Sequence, residues 1–232
     1  MSEPYWVAMA SAPVDYQGVY DPAVAYAQGA VVLYNGVTYI AVNPSTGQTP
    51  PTSGNLGGVP LVTSLPGSPN DGDEIILTDS LAAGTYFWRL KYVAARTTNK
   101  WVYIGGSPLY AENPVGDTTS SATYVSLGAG PSLTIPVAGD YDITIGSDAG
   151  RSAGSASGFL TYMSFAVGAT AASDTDACIW NFNTGNETRM KTRRKTALAA
   201  GTAIVTQYKV TAAQTMQYLN RILRIEPFAV GG

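Results

Sequence analysis

The sequence contains no histidine and only one cysteine, Cys178. The first absence removes the Ser-His and Cys-His pairs of nucleophilic catalysis. The second rules out an intrachain disulfide, and the two together rule out the Cys/His clusters that hold zinc. Charge is scarce as well: 12% of the 232 residues are Asp, Glu, Lys or Arg, about half the usual share. A net charge of −3 and a pI near 4.8 give no overall pull toward nucleic acid or anionic membrane. No apolar run approaches the ~20 residues that span a bilayer. The opening Met1-Ser-Glu-Pro-Tyr-Trp has neither the basic nor the apolar region of a signal peptide. The expectation is a chain made in a reducing cytoplasm, with no cofactor, no metal, no nucleic-acid partner and no membrane insertion.

Tyrosine is abundant, at 15 residues, beside 25 glycines and a hydrophobic share of 45%. Tyrosine suits strands and supplies flat, half-polar contact surface. An apolar share this high with so little charge points to a surface partly buried against other copies of the chain. Pro/Gly-rich breaks separate three segments, most clearly Asn43-Pro-Ser-Thr-Gly-Gln-Thr-Pro-Pro-Thr-Ser-Gly-Asn-Leu-Gly-Gly58.

In the first segment, Ala30–Tyr34 and Val37–Ala41 flank Asn35-Gly36, a strong hairpin signal because a type I′ turn needs positive φ twice. In the second, strands are expected at Asp73–Thr78, Thr85–Ala94 and Lys100–Ile104. Trp88, Leu90 and Tyr92 alternate with Arg89 and Lys91, which sends the apolar set to one face. In the third, eight strands recur at roughly ten-residue spacing: Thr123–Leu127, Ser132–Ile135, Gly139–Gly146, Gly158–Val167, Ala177–Phe182, Glu187–Ala197, Thr202–Val210 and Thr215–Pro227. Ser147–Ser157 reads as a loop. The fold class is therefore all-β: a small N-terminal β module (1–51), a middle β module (59–108) and a C-terminal jelly-roll sandwich (109–232).

The stretch Tyr20–Ala41 carries a Tyr, then Gly29-x-x-Val32-x-Tyr34, then Gly36-x-x-Tyr39-x-Ala41, closed by Gly47 and Pro50. On these residues it resembles the small chitin-binding modules of carbohydrate-binding families 5 and 12. In those modules a pair of aromatics follows the Ala; here the positions are Val42 and Asn43. Ser64–Ile75, Trp88–Tyr92 and Lys100–Leu109 resemble a module of minor tail and fibre proteins of phages, notably those of actinobacteria. Pro136-x-Ala-Gly-Asp-Tyr141 and the later order Leu198-Ala-Ala-Gly201, Thr202–Val210, Met216–Pro227 resemble the C1q/TNF-like jelly roll of trimeric fibre tips. Together these resemblances imply a trimeric virion surface protein.

Two groups of residues are candidate sites. Trp6, Tyr20 and Tyr34 form a candidate glycan-binding face, because sugar C–H faces pack on aromatic rings. The competing reading of Tyr16, Tyr20, Tyr26, Tyr34 and Tyr39 is the core of a unit with little else to bury. Arg189, Lys191, Arg193 and Lys195 share one face of a strand by parity, with Arg194 opposite, and suit docking to an acidic virion protein or wall polymer. The competing reading is a solvated face that blocks edge-to-edge aggregation. Asp71, Asp73, Glu74 and Asp79 match no EF-hand loop and read as turn carboxylates.

The expected function is non-enzymatic: a homotrimeric minor tail or fibre component contacting other virion proteins and host cell-wall glycan, made in the host cytoplasm and located on the virion. A head-decoration protein is the alternative. A glycan-trimming enzyme is the third reading, since its carboxylate pair would be assembled in space rather than in sequence; the acids of the third segment are Asp140, Asp142, Asp148, Asp174, Asp176, Glu187 and Glu226, with Asp140 and Asp142 the ones whose change to Asn would test it.

Overall fold

Period-two alternation governs the structure, a computed structural model that describes residues 6–8, 16–34, 37–41, 44–47, 49–50, 55–56, 59–153, 158–182, 187–211 and 214–231. Among the described residues every regular element is a β-strand, and no helix is long and apolar enough to cross a membrane. The chain is all-β, as expected. It divides into two compact units, Met1–Pro69 with Asp73–Leu90, and Asn70–Gly72 with Lys91–Gly232. The division falls inside the segment 59–108, expected as a module of its own. The early strands of that segment pair among themselves, whereas Trp101 and Val102 pair with Val230 and Ala229 at the C-terminus.

In the first unit a four-stranded sheet runs in the order Trp6–Ala8, Val37–Ala41, Val31–Tyr34, Tyr16–Val19. Val31–Tyr34 and Val37–Ala41 pair antiparallel with Tyr34 opposite Val37; the turn residues Asn35 and Gly36 lie outside the described residues. Tyr16–Val19 joins the far edge in parallel. The core of this sheet is Tyr20, Tyr26, Ala30, Val32, Tyr39 and Ala41, with Tyr34 packed against it. Further along, Val59–Val62 pairs in parallel with Glu74–Leu77. Beside these strands Leu77, Trp88 and Leu90 are fully buried, and the Trp88 ring packs 4.3 Å from Tyr86.

The second unit holds a sandwich of nine strands: β1 (Leu109–Asn113), β2 (Asp117–Thr119), β3 (Ser132–Thr134), β4 (Gly139–Ala153), β5 (Phe159–Val167), β6 (Cys178–Phe182), β7 (Glu187–Leu198), β8 (Ala203–Val210) and β9 (Thr215–Val230). One sheet runs β7-β4-β9, with β1 and β2 following each other along the far side of β9. The other runs β3-β8-β5-β6. Every pairing is antiparallel. From β2 onward the chain passes from one sheet to the other at every step except β5 to β6, which is the jelly-roll arrangement. Two expected elements differ. Thr123–Leu127 contributes only a single bridge, Val125 to Tyr208; the first strand position belongs instead to β1 and β2, which Pro114 and Gly116 interrupt. Ser147–Ala153, expected as loop, continues β4, because β9 pairs with it as far as Ala153 and β7 as far as Ala149.

The core lies between the two sheets. Tyr141, Ile143 and Ile145 of β4 face Phe165, Met163, Trp180 and Ile204 from the opposite sheet, all essentially buried. Burying a side chain of this size contributes roughly 1.5–3 kcal/mol. Tyr218 of β9 stands at the centre, 4.7 Å from the Tyr208 ring and 6.1 Å from Trp180. Its hydroxyl meets the Thr161 hydroxyl and lies 3.1 and 3.2 Å from the carbonyls of Tyr162 and Lys209. One phenol of the first sheet thus ends inside the polar backbone of the second. Desolvation there pushes its pKa up.

A bulge changes the parity of β9. Met216 and Tyr218 point inward, then Arg221, Leu223 and Ile225 do, because the register slips opposite Gly146–Asp148 and Asn220 takes φ 47°. The slip buries a cation. Arg221 is 1% exposed and donates from Nη2 to the carbonyls of Val115 (3.1 Å) and Gly128 (3.3 Å), tying together the loops on either side of β2.

Gly139, in the Pro136-x-Ala-Gly-Asp-Tyr motif, marks a close approach of two backbones. A Cβ there would lie 2.5 Å from the Ala229 carbonyl oxygen and 2.8 Å from Val230 Cα. Two residues on, Tyr141 is fully buried and its hydroxyl donates to the Val137 carbonyl at 2.5 Å. Gly139→Ala must therefore push β4 from β9, and is expected to cost about 1–3 kcal/mol. Urea unfolding should show a lower midpoint with an unchanged slope.

Candidate functional surfaces: an aromatic cluster and a basic edge strand

Of the three aromatic candidates of the N-terminal unit, Tyr20 and Tyr34 pack against each other. Tyr20 is 9% exposed. Its ring stacks on Tyr26 at 5.7 Å and meets Tyr34 edge-on at 5.4 Å. These ring faces contact one another, and the Asp21 backbone N–H donates to the Tyr26 hydroxyl at 2.8 Å. Tyr34 is half-buried. Tyr39 is buried, and burial, followed by the neighbouring Tyr34, pushes its phenol up. Trp6 begins a strand whose backbone pairs with Ala41; its side chain lies outside the described residues. The exposed tyrosine of the five is Tyr16, at 54%, on the edge strand with exposed Val19. Sequence gave no reason to prefer it, because exposure follows from its place at the sheet edge.

The basic candidates come together as parity demands, on a strand with one neighbour. β7 pairs only with β4, so its other side is an edge of the sandwich, and β6 is the edge strand of the opposite sheet. All four cationic heads reach across that gap. Arg189 donates from Nη1 to the Ile179 carbonyl (2.8 Å), and from Nε and Nη2 to Glu187 (3.1 and 2.8 Å). Lys191 donates to the carbonyls of Ala177 (2.5 Å) and Thr175 (3.3 Å). Arg193 donates from Nε and Nη2 to the Thr175 carbonyl (3.0 and 2.7 Å). Lys195 pairs with the Asp176 carboxylate at 2.6 Å. Trp180 reinforces the closure from the other side, donating its indole N–H to the Glu187 carbonyl at 3.0 Å. Desolvation, and then Arg193 beside it, lower the Lys191 pKa. Unpaired carbonyls on a sheet edge invite another strand; here side chains cap them.

Arg194, on the opposite face of β7, grips Asp142 with two hydrogen bonds (2.9 and 2.7 Å) and lies 3.6 Å from the centre of the Phe228 ring. Asp140 accepts the Ala197 N–H at 2.9 Å. Each of the two aspartates thus has a partner within the sandwich. The turn carboxylates are engaged as well: Asp71 caps the Ala94 N–H, Glu74 pairs with Arg89, and Asp79 accepts from Thr85. Among the described residues no group of three or more Cys, Asp or Glu is placed to hold a metal ion.

A second cationic contact lies on the outer face of the β3-β8-β5-β6 sheet. Lys209 pairs with Asp174 at 2.6 Å and sits over the rings of Tyr162 (4.5 Å) and Tyr124 (4.8 Å). The Tyr124 hydroxyl donates to the same carboxylate at 2.9 Å. Lys209 first, and Tyr124 after it, hold the Asp174 carboxyl below its ordinary value. Burial, and then Asp174, push the Tyr124 phenol up.

A carboxyl depressed in the folded state contributes stability that is present above its unfolded value, about 3.9, and is lost as pH falls through the folded value. Asp174→Asn should therefore melt below the wild type at pH 7. The gap between their melting temperatures should close as the pH is taken below about 4. Thermal scans of both proteins across this range check it.

No family model matches the chain, and no curated protein matches it. Among solved structures, the chain is similar to the structure of infectious bursal disease virus, Gx strain, at 10% identity and a TM-score of 0.37, covering 61% of this chain and 40% of that one. It is also similar to the carbohydrate-binding module BiXyn10A CBM1 in its apo form, at 18% identity and a TM-score of 0.24, covering 60% of this chain and 72% of that one. At these scores neither likeness carries an argument. They are a viral protein and a glycan-binding module that this β-rich chain weakly resembles.

Proposed function

We propose that the chain is a non-enzymatic bacteriophage virion surface protein, a homotrimeric minor tail or fibre component that contributes to host cell-surface attachment. The observation that carries the reading is the jelly roll of β1–β9, an architecture used by viral shells and glycan-binding domains. Since fold alone does not fix function, the phage-type sequence of residues 64–109 and the chitin-module pattern of residues 20–50 supply the rest. The trimer is supported by the low charge and by apolar side chains exposed on the outer face of the β7-β4-β9 sheet, Met190 at 60% and Phe228 at 36%. Its partners are further copies of itself, other virion proteins and host cell-wall glycan. For the glycan contact, exposed Tyr16 is a better-placed ring than Tyr20.

Cryo-electron microscopy of purified particles, with the protein located by a bound antibody fragment, tests the reading. Density in sets of three at the tail tip or fibres is expected. Density on the capsid lattice would overturn the tail assignment in favour of head decoration, and absence from the particle would overturn the virion reading itself.

A further inference from the structure

Five residues between β5 and β6, Ser173–Ala177, receive four cations from two strands on different sheets. Lys191, Arg193 and Lys195 approach from β7 and Lys209 from β8. The segment has little backbone structure of its own: the Asp176 N–H bonds to Ser173 and the Ala177 N–H to Asp174, each at 3.2 Å, and it belongs to no ladder. Its other ties are to side chains. The Ser164 hydroxyl donates to the Ser173 carbonyl (2.8 Å), Tyr124 and Lys209 hold Asp174, Lys191 and Arg193 hold the Thr175 carbonyl, and Lys195 holds Asp176.

The segment also explains an anomaly in β5. Tyr162, Ser164 and Ala166 point away from the sandwich core, yet each is buried. The Ser164–Ser173 bond and the Gln207 side chain, which accepts the Ala172 N–H at 3.3 Å, lay the segment over this outer face. Cys178 follows directly as the first residue of β6. It is buried, opposite Met163 of β5, and within electrostatic reach of Arg189 and Lys191.

We propose that Ser173–Ala177 is an electrostatically closed strap, which opens as a unit ahead of global unfolding and bares the outer face of β5. A segment tied by side-chain charges rather than by a ladder belongs to the low-stability end of a fold. Four cations gathered on two carboxylates and a few carbonyls repel one another once those acceptors move away. Opening is therefore favoured by removing any one of the acceptors or cations, and by salt that screens the attraction.

Cys178 is the sole cysteine, so maleimide labelling read by intact mass reports the opening at one position. In wild-type protein the labelling rate is expected to stay flat at low urea and to rise only near the global transition, the mark of a local opening. Raising salt from about 0.05 M to about 0.5 M should speed it. Lys191→Gln with Arg193→Gln should raise it roughly tenfold or more at zero urea, the loss of charged hydrogen bonds being the cause. Hydrogen exchange should show faster amides at 170–178 in the variant, with β4 and β9 unchanged. If labelling climbs with urea from zero at the slope of global unfolding, or is the same in the variant as in the wild type, the strap does not open separately and the proposal fails. Should the double variant not fold, the urea and salt dependence of the wild type decides alone.

Discussion

Closing the open edge between β6 and β7 is the constraint on which the sandwich depends. The two sheets meet at a border where each presents an edge strand with no further neighbour among the described residues. The backbone carbonyls of Thr175, Ala177 and Ile179 face that border and would otherwise need water or another chain. Arg189, Lys191 and Arg193 supply their donors and Lys195 pairs with Asp176, so four cations that look surplus on the strand are consumed within the fold. Each contact is partly exposed and individually modest. Their value lies in acting as a row, where the alternative is an unprotected edge.

Within this frame the core is held by packing and by a few buried polar groups that fix which residues meet. Tyr218 threads its hydroxyl from one sheet into the backbone of the other, and Arg221 binds the loops beside β2. A buried cation bonded to carbonyls through Nη2 contributes less net stability than its contacts suggest, but it ties the loops beside β2 to β9. The outer faces of the two sheets differ in kind. One is overlaid by the Ser173–Ala177 strap and Tyr124. The other carries exposed Met190 and Phe228 with surface pairs such as Arg194–Asp142.

Alternation made most of this architecture legible. The apolar set Ile204, Tyr208 and Val210 against Val205, Gln207 and Lys209 announces β8 and its buried face, and seven of the eight strands expected in the C-terminal segment correspond to β3–β9. What escaped depends on tertiary context. Ser147–Ala153 is small and polar, with weak strand propensity, and becomes strand because β9 pairs along its length and β7 along its first part. The Tyr124-Val125 pattern looks like a strand yet serves as a cover. The break in β9 at Asn220 is invisible to a period-two reading that assumes a constant phase, and so is the burial of Arg221. For the basic residues, parity places Arg189, Lys191, Arg193 and Lys195 on one face; their acceptors across the border lie 10 to 19 residues earlier in the chain, and no local pattern shows them. For the tyrosines, composition suggested a stacking face, whereas the small size of the unit explains why Tyr20 and Tyr39 are buried.

The most direct test of the closure is a double-mutant cycle between Lys195 and Asp176, using Lys195→Met and Asp176→Asn with stability taken from urea unfolding. The account predicts that the two substitutions are coupled by about 0.5–1 kcal/mol, since the pair is only partly exposed and spans the border between the sheets. Additive effects, with no coupling beyond error, would mean that the basic strand does not hold the sandwich closed and that its charges are free for another purpose.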